Sequence, residues 1–220
     1  MCSHYQGIKK RDQIEKHFRV RGLPLPTTDL WPRYTGEFIR RPPEADSGDD
    51  AVPERELVPG RWGLVSAMTR ADGLVKAKKL STFNARSETA ASAYTYRNAW
   101  ARGQRCIIPA DLVYEPDWRS GRAVPTAFSR ADGAPLGIAG LWDRYRSAAG
   151  EWVDSYTMLT INADHDPLFS QYHKAEDEKR SVVILPEGAY DDWLTAPVVD
   201  TRDFLVPYPA ERLIAEPMPR

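Results

Sequence analysis

A chain of 220 residues with 42% hydrophobic and 28% charged content has the make-up of a soluble globular protein and room for one sizeable core. The net charge of −1 excludes a uniformly basic nucleic-acid coat and a strongly acidic chain, although the charges are unevenly placed. No apolar run approaches membrane-spanning length, and MCSHYQGIKKRDQIEKHF has no signal-peptide core, so a cytoplasmic protein without membrane contact is expected. Cys2 and Cys106 are too few for a disulfide framework, and His4, His17, His165 and His173 show no CxxC or HxxxH spacing, so no metal is expected.

In chain order, KKRDQIEKHFR (9–19) sets Ile14 and Phe18 four residues apart among charges, which predicts a short surface helix. Pro24, Pro26, Pro32, Pro42 and Pro43 mark an extended stretch. EADSGDDAVPERE, acidic and free of aromatics, predicts an exposed loop over 44–57. The chain then turns apolar: Trp62-Gly63-Leu64-Val65 predicts a buried strand and 68–80 a basic loop. A helix is expected from about Glu88 to Arg102, with Ala90, Tyr94 and Trp100 among its apolar positions and Gly103 just past its end. RCIIPADLVYEPDW, TAFSRADG, PLGIAGLWDRY and SYTMLTINA read as strands, with turn residues such as Asp132-Gly133 between them. After an irregular 164–180 come a strand at SVVILP, a short helix at EGAYDDWL and a closing extended piece, FLVPYP. Neighbouring strands with few crossover helices imply an α+β fold, one domain over 1–220 with an antiparallel or barrel-like sheet core and flanking helices.

Four segments carry polar groups that are oddly placed for their surroundings. Removal of Met1 would give Cys2 a thiol and a free α-amine, a 1,2-aminothiol. Such a group condenses with an aldehyde to a Schiff base and then closes a thiazolidine ring. Asn84 and Arg86 lie in STFNARSET, Glu115 ends the apolar strand IIPADLVYE, and His173 sits in FSQYHKAEDEKRSVV. Singly, each has a plain structural use: a frayed terminus, a helix cap, a solvated strand end and a surface histidine. Cys106, within apolar RCII, reads as a small core residue.

Together these segments resemble the SRAP family, the SOS-response-associated peptidases that process abasic sites in DNA. The resemblance rests on Met1-Cys2, RWGL (61–64), NARSET (84–89), YRNAWARGQRCIIPAD (96–111), YE (114–115), AGLWD (139–143) and His173 before an apolar strand ending at Pro186. It implies that Cys2 joins covalently to the ring-opened abasic aldehyde after self-removal of Met1. It further implies that Asn84 holds the Cys2 terminus, that Glu115 moves protons at the amine and Schiff base, and that His173 helps open the sugar and reverse the crosslink. Strand cleavage through the Schiff base is a further activity consistent with it. Single-stranded DNA carrying abasic sites is the implied partner, with no cofactor, a monomeric state and, for a bacterial source, a place at the nucleoid.

The chain departs from the family pattern at three points. It begins Met-Cys-Ser-His where Met-Cys-Gly-Arg is usual, it has HKAEDEKRSVV where His-x-Arg-Met-Pro is common, and YEPDW replaces YEW. The phosphate-binding role of the family arginine after the histidine falls to Lys174, Lys179 or Arg180. Between 61 and 105 lie nine arginines and lysines, among them Arg61, Arg86 and Arg97, against Asp72 and Glu88. With Trp62 and Phe83 interleaved, this segment is what a single-strand channel needs. Arg61, Trp62, Arg86, Lys174 and Arg180 are the expected DNA contacts. Two other readings remain open: an amide or peptide hydrolase using Cys2 as N-terminal nucleophile, and a non-catalytic single-strand binder.

Overall fold

The computed structural model describes residues 2–21 and 27–218; Met1 and the prolines at 24 and 26 lie outside them. The chain opens with β1 (Tyr5–Gln6) and α1 (Arg11–Phe18), where the predicted pair Ile14 and Phe18 is buried. Next come β2 (Asp29–Leu30), β3 (Thr35–Arg40), an acidic segment whose residues 46–51 are exposed, and β4 (Glu56–Trp62). The strand expected over 62–65 is therefore displaced upstream, because Gly63 adopts φ 126° and ends it. The basic loop contains α2 (Leu74–Lys79), held by Leu74 packing with Val65 and Tyr145. After β5 (Asn84–Arg86), the helix expected over 88–102 contracts to α3 (Arg97–Ala101), preceded by successive turns. Serine and threonine hydroxyls offer the backbone other partners there, as where Ser92 donates to the Thr89 carbonyl.

The four strand-like runs that follow appear as β6 (Arg105–Ala110), β7 (Leu112–Asp117), β8 (Val124–Arg130), β9 (Leu136–Arg146) and β10 (Trp152–Asn162). SVVILP falls within two short strands, β11 (Arg180–Val182) and β12 (Ile184–Leu185), and α4 (Tyr190–Thr195) lies in the expected short helix. FLVPYP forms no strand. The closing strand is β13 (Leu213–Pro217), which has one buried residue, Leu213, and so no apolar pattern to read.

Five strands close into a barrel. β4 pairs with β3, β3 with β6, β6 with β9 and β9 with β10, all antiparallel; β10 then returns to β4 in parallel, with Tyr156 opposite Trp62. Where β9 and β10 splay apart, the SVVIL segment wedges between them: β11 pairs with β10 and β12 with β9. A second, wholly antiparallel sheet runs β13-β8-β7-β1-β2. The two are joined by the turn at Asp111, where the chain leaves β6 in the barrel and enters β7, and Asp111 N–H donates to the Gln6 carbonyl. This is the expected single-domain α+β fold with a barrel-like core.

One apolar cluster, including Tyr5, Phe38, Trp62, Phe128 and Tyr156, joins barrel strands to β1 and β8 of the second sheet. A second, including Ile14, Phe18, Trp100, Tyr190 and Trp193, seats α1, α3 and α4 on barrel residues such as Ile107 and Leu141. Cys106 is fully buried in the first, as its apolar neighbours predict.

Gly140 on β9 tests how tightly the barrel closes. A Cβ there would stand 2.5 Å from the backbone oxygen of Thr157 and collide with Ile108. Backbone oxygen on a paired strand cannot step aside, so Gly140→Ala costs about 1–3 kcal/mol. Thermal denaturation should show a midpoint lower by roughly 3–10 °C for a chain of this size; an unchanged midpoint would contradict the close approach.

Candidate active site

The N-terminal arm is laid into the molecule by strand pairing. β1 sits between β2 and β7, with Tyr5 opposite both Leu30 and Val113, and Tyr114 N–H donates to the His4 carbonyl at 3.1 Å. That pairing brings Glu115, the next residue along β7, close enough for its charge to act on Cys2. From the barrel side, β5 runs parallel to β10 with Asn84 opposite Met158. Asn84 Nδ2 donates to the Cys2 carbonyl at 2.6 Å, while its buried Oδ1 has no hydrogen-bond partner among the described residues. His173 arrives from the segment between β10 and β11. Its N–H donates to the Pro116 carbonyl at 2.9 Å, and its Nε2 lies 3.0 Å from Glu115 Oε2.

Thus Cys2, Asn84, Glu115 and His173, from four separate segments, form one connected group. Cys2 and Glu115 are almost wholly buried, at 1% and 3% exposure. His173 holds a left-handed backbone at φ 64°, a conformation uncommon outside glycine and kept where surrounding contacts fix it. Burial, with the Glu115 charge second, pushes the Cys2 thiol up to about 12, against a weaker opposing hydrogen bond at His4. The resting thiol is therefore protonated at neutral pH, and a group that accepts its proton has to act with it. The His173–Glu115 pair is placed for that exchange.

A family model described as SOS response associated peptidase (SRAP) matches residues 1–220. The chain belongs to the SRAP family. Among its curated relatives, the chicken abasic site processing protein HMCES is 26% identical over 99% of this chain and 68% of its own length. The Bacillus subtilis abasic site processing protein YoqW is 27% identical over 98% of this chain and 91% of its own. A crystal structure of a Bordetella bronchiseptica protein superposes with a TM-score of 0.92 at 63% identity, covering 99% of both chains. One from Bacteroides thetaiotaomicron, at 17% identity over 99% of this chain and 92% of its own, shares the fold with a TM-score of 0.79.

The expected DNA contacts divide into outward and inward residues. Arg86 is about half exposed and pairs with Glu178 at 2.6 Å, and exposed Lys174 lies 4.9 Å over the Trp118 ring. Arg61, Trp62 and Arg180 turn inward instead, which corrects their expected place on the SRAP surface. Arg61 donates to the carbonyls of Gly63 and Lys78, tying down the loop after β4. Trp62 is fully buried, with its indole N–H on the Phe83 carbonyl, and presents no face to a base. Arg180, 1% exposed, is held by Glu88, Glu178 and Thr160 and fixes the start of β11. Cationic residues in a basic run need not be surface residues when backbone carbonyls and carboxylates are within reach.

An aromatic stack with no signature in the sequence lies beside the group. His4 lies between Trp31 and Tyr114, with ring centroids 4.1 Å away on each and planes within about 11°. Its Nε2 meets Asp29 at 2.5 Å. No motif marks Trp31, since it reaches the site only through the β2–β1 pairing. Among the described residues no helix is long and apolar enough to cross a membrane, and no group of three His, Cys, Asp or Glu could hold a metal ion.

The raised thiol gives a pH prediction for the chain with Met1 in place. Alkylation of Cys2 by iodoacetamide should be slow and keep rising with pH through 10. In denaturant the rate should level near the ordinary thiol value of roughly 8.5. Peptide mapping by mass spectrometry measures both, and a plateau below pH 9 in the folded chain would refute the shift.

Proposed function

We propose that this protein processes abasic sites in single-stranded DNA by forming a thiazolidine between Cys2 and the ring-opened sugar, after hydrolysis of the Met1–Cys2 bond frees the Cys2 amine. The observation that carries the reading is the convergence of Asn84, Glu115 and His173 on the N-terminal arm. The names of its SRAP relatives, abasic site processing proteins, support the substrate.

The residues divide the chemistry as follows. The α-amine adds to the aldehyde carbon and the carbinolamine expels water to give an imine. Glu115 and His173, 3.0 Å apart, move the protons that this requires. The Cys2 thiol then adds across the C=N bond: Sγ bonds to carbon, and its proton reaches the ring nitrogen through the same pair. Asn84, by holding the Cys2 carbonyl, keeps the amine and thiol in one orientation, so that ring closure is intramolecular. The reverse path needs the same proton movements, which makes His173 and Glu115 the control over crosslink lifetime. Elimination from the imine before the ring closes would cleave the strand.

Abasic DNA lacks a stacked base at the lesion, so little unstacking opposes its capture in a recessed site. Arg86, on the same strand as Asn84, meets the phosphate. Glu178 occupies that guanidinium in the free protein, with Arg180 first and Arg86 next holding its carboxyl below the usual range.

Two measurements test this reading. Mixing the protein with a single-stranded oligonucleotide bearing one abasic site should give a heat-stable band on a denaturing gel. That band should vanish in Cys2→Ala, and the N-terminal mass should lack Met1. Amide turnover without DNA, and no band from protein with a free Cys2, would favour the hydrolase. Separately, Glu178→Gln should tighten noncovalent binding of a tetrahydrofuran-containing strand about two- to fivefold by unblocking Arg86. Arg86→Gln should weaken it and lower the slope of log K against log salt by about 0.7. Unchanged slopes would remove Arg86 from the interface.

A further inference from the structure

Next to Glu115 lies a cavity of about 400 Å³ that the thiazolidine chemistry does not use. It is lined by Ser3, His4, Trp31, Tyr114, Glu115, Pro116, Ala123, Pro125 and Met218. Its volume falls in the range of small-ligand sites, about 300–1,000 Å³. Three features define its chemistry. The first is the Trp31–His4–Tyr114 stack, three near-parallel rings at 4.1 Å spacing, all belonging to residues that line the cavity. The second is the remaining lining of Pro116, Pro125 and Met218, which is apolar and, at the two prolines, rigid. The third is position: Glu115 belongs both to this wall and to the His173 pair beside Cys2.

We infer that this cavity is a subsite for a nucleobase adjacent to the abasic residue in the same strand. A deoxyribose or a phosphate has no flat face for Trp31 and would lose hydration against Pro116 and Met218. A purine or pyrimidine ring has two such faces and needs few polar partners there. The reach also fits. A sugar bonded at Cys2 carries its neighbours on a short phosphodiester tether, and the cavity shares Glu115 with the site of bonding. Lys174 lies over Trp118, two residues beyond Pro116, where the continuing backbone can meet a cation. Trp31 is 40% exposed, so its stack is open to a fourth ring.

The inference rests on the abasic-DNA reading, and the test separates the two. Binding is measured by fluorescence anisotropy on strands carrying a tetrahydrofuran lesion, with the 5′ or the 3′ neighbouring base also replaced by tetrahydrofuran. Crosslinking to true abasic strands at saturating DNA is measured alongside. For the native chain, removing the base on one side should weaken binding about tenfold, and removing the other should have little effect. Trp31→Ala should weaken binding to the intact strand by a similar factor and be indifferent to loss of that base. Ala123→Phe, which fills the cavity from its exposed rim without removing a stacking ring, should do the same. Crosslink yield at saturation should stay unchanged in both variants. Equal losses for the native chain and both variants when either base is removed would overturn the subsite while leaving the covalent reading intact. No crosslink to any strand from protein with a free Cys2 would overturn that reading and the subsite with it.

Discussion

Everything proposed for this molecule depends on the insertion of a two-residue strand, β1, between β2 and β7. Fixing the backbone of a residue costs about 1–2 kcal/mol, and a chain terminus is ordinarily where such ordering fails. Here the cost is offset inside the fold. Tyr5 is fully buried, hydrogen-bonded through its hydroxyl to Tyr156 and edge-on to Trp62. Burial of one such ring contributes about 2–3 kcal/mol, to which the β1 pairings and the Asn84–Cys2 hydrogen bond add. The arm is thus held at both ends: Tyr5 anchors it in the core and Asn84 clamps the residue that would react. A nucleophile carried on a terminus normally lacks fixed geometry; in the role proposed for Cys2, two sheets supply it.

The same economy governs charge. A burial that leaves Cys2 at 1% exposure raises its thiol and makes an isolated thiolate too costly. In the proposed reaction the proton has to leave as the new bond forms, and Glu115, whose charge acts on Cys2, is already paired with His173. Elsewhere, buried cations serve the scaffold. Arg61, Arg105 and Arg180 each spend their donors on backbone carbonyls or interior partners, locking the loop after β4, the α4 terminus and the start of β11. Loop 173–180 carries His173 at one end and Arg180 at the other, so the Arg180 network holds one end of the segment that presents the histidine.

Much of this was readable from residue order and much was not, for identifiable reasons. Strands β6 to β10 announced themselves because alternating or continuous apolar runs were bounded by turn residues, and Ile14 with Phe18 marked α1. Cys2, Asn84, Glu115 and His173 could be named because their motifs are local. Their convergence could not be derived from periodicity, since it depends on β1 pairing with β7 and β5 with β10 across more than 70 residues. Arg61, Trp62 and Arg180 lie inward in a segment that reads as basic and aromatic, because charge and aromaticity in a sequence say nothing of which way a side chain turns. Apolar spacing over 88–102 predicts a longer helix than α3, because that spacing is blind to the serines and threonines that break the segment into turns.

Position 4 shows how a departure from the family pattern can carry chemistry. Where the SRAP pattern has arginine, this chain has His4, whose ring is enclosed by Trp31 and Tyr114 and whose Nε2 is held by Asp29. A guanidinium there could reach into solvent for phosphate; an imidazole clamped on two faces and one edge cannot. The mouth of the site is consequently aromatic beside Cys2, with its outward cations displaced to Arg86 and Lys174. Of these, Arg86 is engaged by Glu178, so the phosphate contact proposed for it requires exchange of one carboxylate for one phosphate. Such an exchange is nearly balanced in Coulombic terms and is screened by salt, whereas ring stacking is neither. On the proposed reading, discrimination at this mouth therefore falls to flat apolar contact more than to counting phosphates, which is the regime in which a missing base, rather than a charge, is felt.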